Sequence, residues 1–66
     1  MKIKLNGKET QVAEGISLLG RLQQMQIVPE LVACELNLKV VRRKDYASTI
    51  LSENDELEIL RMIGGG

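Results

Sequence analysis

Only one stretch of this chain, "SLLGRLQQMQ" (residues 17–26), repeats its apolar residues at a helical spacing, with Leu18, Leu22 and Met25 on one face. Ser17 before it is a good N-cap, because its hydroxyl can accept from backbone amides that have no partner in the first turn. The spacing predicts a helix from Leu18 to about Gln26. Gly20 inside it costs ~1 kcal/mol relative to alanine, so the helix depends on packing for its stability. A single helix can cover only one face of a sheet. Whatever sheet the rest of the chain builds is therefore bare on its other side.

The flanking segments supply that sheet. "KIKLN" alternates, with Ile3 and Leu5 on one face, and Asn6-Gly7 is a strong two-residue hairpin signal because both positions tolerate positive φ. "KETQVA" returns as a second strand with Val12 inward. After Pro29, "ELVACELN" places Val32, Cys34 and Leu36 on one face and Ala33 and Glu35 on the other. "KVV" reads as a short strand, "RRKDYAS" as a basic turn or a single helical turn, and "ELEILRMI" as the last strand. A hairpin, a crossover helix and further strands give an α+β chain of the β-grasp, or ubiquitin-like, class: a mixed four- to five-stranded sheet packed on one helix. Sixty-six residues are expected to form one domain over 1–63, with 64–66 a flexible glycine tail.

The last strand carries one discrepancy. Leu57 and Ile59 share a face, so Glu56, Glu58, Leu60 and Met62 share the other. If the first pair packs on the helix, Leu60 and Met62 lie on the bare face beside the tail. Scattered surface leucines are ordinary, but two adjacent ones near a terminus suit the docking of a partner.

Several activities are disfavoured. A chain of this length buries roughly 60% of its unfolded surface, so any cleft is shallow. There is no histidine, the commonest general base and metal ligand. Nine basic residues balance nine acidic ones, which argues against nucleic acid or an anionic membrane as partner. Tyr46 alone makes no stacking platform. The charged opening and the absence of a long apolar run give the expectation of a reduced, cytoplasmic protein. "GISLLGRL" has the glycine spacing of a phosphate loop but lacks its lysine and Ser/Thr. Cys34 has no second cysteine to pair with, and an inward strand position makes it a core residue rather than a nucleophile. Arg42 to Lys44 form a basic run that reads as a solvated turn.

The closing Gly64, Gly65 and Gly66 remain. Three glycines give about 10 Å of reach with no side chain, enough to carry a terminal carboxylate through a channel too narrow for a Cβ. Glycine triplets are also common in linkers. A carboxylate must be activated before it reacts, and the sequence has no nucleotide site with which to do so.

Taken together, "MKIKLNGKE", "VACELNLKVVRRKDYAS" and "LSENDELEILRMIGGG" resemble the small sulfur carrier proteins of thiamine (thiazole) biosynthesis. These are relatives of the molybdopterin synthase small subunit within the ubiquitin-like superfamily. Glu35, Leu36, Asn37, Arg43 and Tyr46 match the family's middle, Asn54 and Asp55 its pre-terminal turn, and Gly65 and Gly66 its closing diglycine. Leu38 and Asn54 stand where glycine is usual, and Arg42 where proline is common. The resemblance implies a protein co-substrate rather than an enzyme. Gly66 would be adenylated by an E1-like partner using ATP, then converted to a thiocarboxylate with sulfur from a donor such as a cysteine desulfurase. Thiazole synthase would receive the sulfur. On this reading Gly64 and Gly65 give reach, Leu60 and Met62 dock partners, and the carrier alone is a monomer needing no cofactor or metal. A molybdopterin-type carrier, a ubiquitin-like modifier joined to lysines, and a β-grasp binding domain with an incidental tail are the competing readings.

Overall fold

The computed structural model describes residues 1–62, so the expectations about Ile63 and the glycine tail lie outside the described residues. The elements are β1 (Lys2–Leu5), β2 (Lys8–Gln11), α1 (Leu18–Gln24), β3 (Val32–Leu36), β4 (Lys39–Val41) and β5 (Glu56–Arg61), with single 3₁₀ turns at Pro29–Leu31 and Arg43–Asp45. They form one five-stranded sheet in the order β2-β1-β5-β3-β4. The two hairpins are antiparallel, β3 pairs antiparallel with β5, and β1 pairs parallel with β5. This is the mixed β-grasp sheet that the element order implies.

The core lies between α1 and one sheet face. Leu18 and Leu22 of the helix meet Ile3, Val32, Cys34, Leu57 and Ile59, all buried. Burial of this apolar set, at ~25 cal/mol per Å², is the main favourable term. The alternation holds for Ile3, Val32, Cys34, Leu57 and Ile59, whereas Leu5 and Leu36 are only partly buried. Val12 is buried although β2 ends one residue before it.

The helix is shorter than its spacing predicts. Met25 is its C-cap and Gln26 adopts φ +58, so the chain has already left the helix where a third apolar turn would begin, and Met25 is partly exposed. Seven residues make a marginal helix in isolation. Its N-terminus is held from outside by the segment after β4. Leu18 N–H donates to the Thr49 carbonyl (2.7 Å), Leu19 N–H to the Tyr46 carbonyl (3.0 Å), and Gly20 N–H to Ser17 Oγ (2.9 Å). Three donors that the helix itself cannot satisfy are thereby paired. A Cβ on Gly20 would meet Ile16 Cγ1 and Ser17 Oγ at 3.2 Å, so the glycine leaves room for the cap.

That same segment supplies two core residues that periodicity does not reveal, Tyr46 and Leu51. Both lie in irregular chain, where neither a period of 2 nor one of 3.6 exists to mark an inward face.

Both hairpins turn through two residues with positive φ: Asn6 (48°) and Gly7 (83°), then Asn37 (52°) and Leu38 (70°). Leu38 is the anomaly. An L-residue in the left-handed region loses roughly 1–2 kcal/mol to the clash of its Cβ with the backbone, and at 84% exposure Leu38 recovers little of it by packing. Leu38→Gly should therefore raise stability by ~1 kcal/mol, the relieved strain outweighing the added freedom of the unfolded chain. Urea denaturation checks this; an unchanged or lower midpoint would show that Leu38 is not strained.

Candidate functional site

Because α1 covers one face, the register fixes what the other presents. Lys4 pairs with Glu56 across β1 and β5, while Glu58 lies opposite Glu35 and Leu60 opposite Ala33 across β5 and β3. Val40 of β4 pairs with Glu35. The face thus divides along β5. Toward its start are carboxylates with Lys4 and Val40 beside them; toward its end are Ala33, Leu60 and Met62. Leu60 is 51% exposed and Met62 48%. The strand faces are those the sequence pattern assigns, and both residues lie on the bare side, next to the point where the described chain ends.

The carboxylates are unevenly compensated. Glu56 has Lys4 as its cross-strand neighbour, but Glu35 and Glu58 are like charges directly opposite one another, an arrangement that lowers the stability of a sheet. Lys2 and Glu9, 4.0 Å apart and well exposed, make a surface ion pair of little energetic consequence. Between Lys4, Gly7, Leu38 and the Glu56–Glu58 segment lies a depression of about 230 Å³.

The exit of β5 is fixed from both sides. On one, Met62 N–H donates to the Leu31 carbonyl (2.9 Å); on the other, the side chain of Asn6 bonds the backbone of Ile59. Sequence reading assigns Asn6 only a turn role, because a contact between positions 6 and 59 has no local signature. Asn37 does the same at the entrance, its Oδ1 accepting from Glu56 N–H (2.9 Å) and its Nδ2 donating to Asp55 Oδ1 (3.0 Å). Gly64, Gly65 and Gly66 lie outside the described residues.

Solved and curated proteins place this arrangement. The model of the ThiS family matches residues 3–66, from the first strand to the last glycine. The chain belongs to the ThiS family. The crystal structure of a thiamine biosynthesis protein (ThiS) from Geobacter metallireducens superposes with a TM-score of 0.87 at 32% identity, with all of both chains covered. A thiazole synthase of Magnetococcus marinus is 42% identical over the whole of this chain, and one of Paramagnetospirillum magneticum is 33% identical over the same span. The chain spans about 20% of the length of each of these two thiazole synthases.

Other candidate groups are placed less suggestively. Cys34 is fully buried, facing the helix. Burial pushes its thiol above its ordinary value, opposed by hydrogen bonding to Tyr46, so it carries little thiolate near neutral pH. Burial likewise raises Tyr46 to about 12, reinforced by the hydrogen bond to Cys34. The basic run Arg42–Lys44 enters the 3₁₀ turn at Arg43–Asp45 and is exposed. Among the described residues no group of three His, Cys, Asp or Glu side chains could hold a metal ion, and no helix is long and apolar enough to cross a membrane.

The Cys34–Tyr46 pair sets an alkaline limit. A group whose pKa is higher folded than unfolded binds its proton more tightly in the fold. Its contribution is full below the unfolded value and lost as pH rises through the folded one. Tyr46 should thus leave stability unaffected below pH 10 and reduce it by ~2 kcal/mol as pH climbs toward 12. Cys34 should begin the decline above pH 9. Tyr46→Phe should flatten the upper part of the curve in urea melts taken across this range; an unaltered slope would show that Tyr46 does not titrate with unfolding.

Proposed function

We propose that this chain is the sulfur carrier for thiazole formation in thiamine biosynthesis, acting as a protein co-substrate through the carboxylate of Gly66 when Gly66 is the last residue. The observation that carries this reading is the match to the ThiS family over residues 3–66, which includes the closing glycines. An ATP-dependent adenylating enzyme joins AMP to the Gly66 carboxylate and releases pyrophosphate. The persulfide of a donor such as a cysteine desulfurase then attacks the acyl carbon and expels AMP, and a second thiol cleaves the resulting acyl disulfide, leaving a thiocarboxylate and a disulfide on the donor side. The carrier's own residues bind and present: Leu60 and Met62 dock the partner, Gly64 and Gly65 span the gap to its active site, and the nucleotide chemistry belongs to the partner.

Thiazole synthase is the proposed recipient. A segment similar to this entire chain makes up about 20% of two proteins of that name, which favours the thiazole pathway over a molybdopterin-type carrier. The uncompensated Glu35–Glu58 pair beside Leu60 and Met62 suits a partner surface that is apolar with a basic rim. Opposite charge there speeds encounter and selects the partner more than it adds affinity.

Two sets of variants test this reading. Leu60→Glu and Met62→Glu should leave the melting temperature nearly unchanged, since both side chains are half exposed, yet weaken binding to the adenylating enzyme at least about tenfold. Deleting Gly66 should abolish the gain of about 16 mass units that marks replacement of oxygen by sulfur, while leaving the fold intact. Gly65→Val should impair the gain, because a β-branched residue stiffens and widens the tail. Normal sulfur loading without Gly65 and Gly66 would overturn the proposal.

A further inference from the structure

We infer that Asn6 is a positioning residue for the carrier's activation, holding the exit of β5 so that Leu60, Met62 and the chain beyond them are presented in one orientation; the inference rests on the function proposed above. β1 and β5 run side by side only as far as Leu5 and Leu57. Asn6 N–H then donates to the Leu57 carbonyl (2.9 Å), and the chain turns away. The next inward-facing backbone groups of β5, those of Ile59, would be left without a strand. Asn6 supplies the missing partner from its side chain: Oδ1 accepts from Ile59 N–H at 2.8 Å, and Nδ2 donates to the Ile59 carbonyl at 3.3 Å. One amide thus reproduces the donor and acceptor of a strand residue, in a partly buried position.

The turn alone does not require asparagine. At φ 48° Asn, Asp and Gly are all acceptable. Aspartate could accept from Ile59 N–H but would set its other oxygen against the Ile59 carbonyl, and glycine could do neither. The identity of residue 6 is therefore dictated by Ile59, one position before Leu60. Without this clamp, the docking end of β5 is bonded only on its β3 side, by β3 and by the Leu31 carbonyl before it, and a partner must order its other edge while binding. That burden falls on association rather than on the chemical step.

Asn37 provides an internal control. It too opens a two-residue turn and clamps β5 by its amide, but at Glu56, the far end of the strand. Asn6→Gly and Asn37→Gly each keep a residue at ease with positive φ while deleting the clamp. A merely structural role predicts that both lower the melting temperature and leave kinetics at low temperature alike. A positioning role separates them. In ATP–pyrophosphate exchange driven by the adenylating enzyme with the full chain as substrate, Asn6→Gly should raise KM about tenfold with kcat within about twofold of the parent, as expected for two lost hydrogen bonds felt in binding. Asn37→Gly should leave both constants near the parent values. Amide hydrogen exchange gives a readout independent of the enzyme: Ile59 should exchange faster in Asn6→Gly and not in Asn37→Gly. Equal KM values for the two variants, or an Ile59 amide equally protected in both, would overturn the inference. If the parent chain itself supports no exchange, the proposed function fails, and the positioning role fails with it.

Discussion

The pairing of β5 with both β1 and β3 is the interaction on which the rest of the structure depends. β5 is the last strand in sequence and the middle strand in space. Its parallel contact with β1 joins residues some fifty positions apart, Lys4 beside Glu56 and Leu5 beside Leu57. Without β5 the β1–β2 hairpin and the β3–β4 hairpin are separate two-stranded pieces, neither able to persist alone. The arrangement has a functional consequence: the chain leaves the sheet from its best-supported strand. A tail proposed to reach into another protein's active site then begins from a fixed point, while the bare face alongside offers Leu60 and Met62 to whatever binds.

Irregular chain contributes more to this small core than its lack of secondary structure implies. The segment from Tyr46 to Leu51 pairs the first amides of α1 through the carbonyls of Tyr46 and Thr49, and it fills the core with Tyr46 and Leu51. Its own turn is secured by Thr49 Oγ1 donating to the Asp45 carbonyl (2.6 Å). A seven-residue helix interrupted by glycine persists because its N-terminus is paired by another part of the chain. The glycine in turn leaves room for the Ser17 cap.

Much of the fold was legible in the sequence because it rests on local signals: alternation in the strands, Asn-Gly in the first turn, Ser17 before the helix. The opposed faces of β5 followed from a period of 2, and with them the exposure of Leu60 and Met62. What escaped has a common physical cause. Tyr46 and Leu51 are inward in chain without periodicity. Met25 matches a helical spacing, yet the helix ends before it can use that position. Asn6 reads only as a turn residue and Asn37 only as a position of the family resemblance, although their side chains also satisfy backbone groups of β5. That second role depends on which strands become neighbours. The chemistry proposed for the tail has no local signature at all; the sequence offers for it only a reach, a slimness and a resemblance.

The central claim is that the reactive group is the carboxylate of Gly66 and not the molecule's one sulfur nucleophile, the buried Cys34. The most direct measurement is fragmentation mass spectrometry of the intact chain after incubation with the adenylating enzyme, ATP and a cysteine-derived sulfur source. The account predicts that the added mass, about 16 units for oxygen replaced by sulfur, resides in the C-terminal fragments that contain Gly66, with fragments spanning Cys34 unchanged. Added mass of about 32 units on fragments containing Cys34, the signature of a persulfide, with an unmodified C-terminus would contradict it.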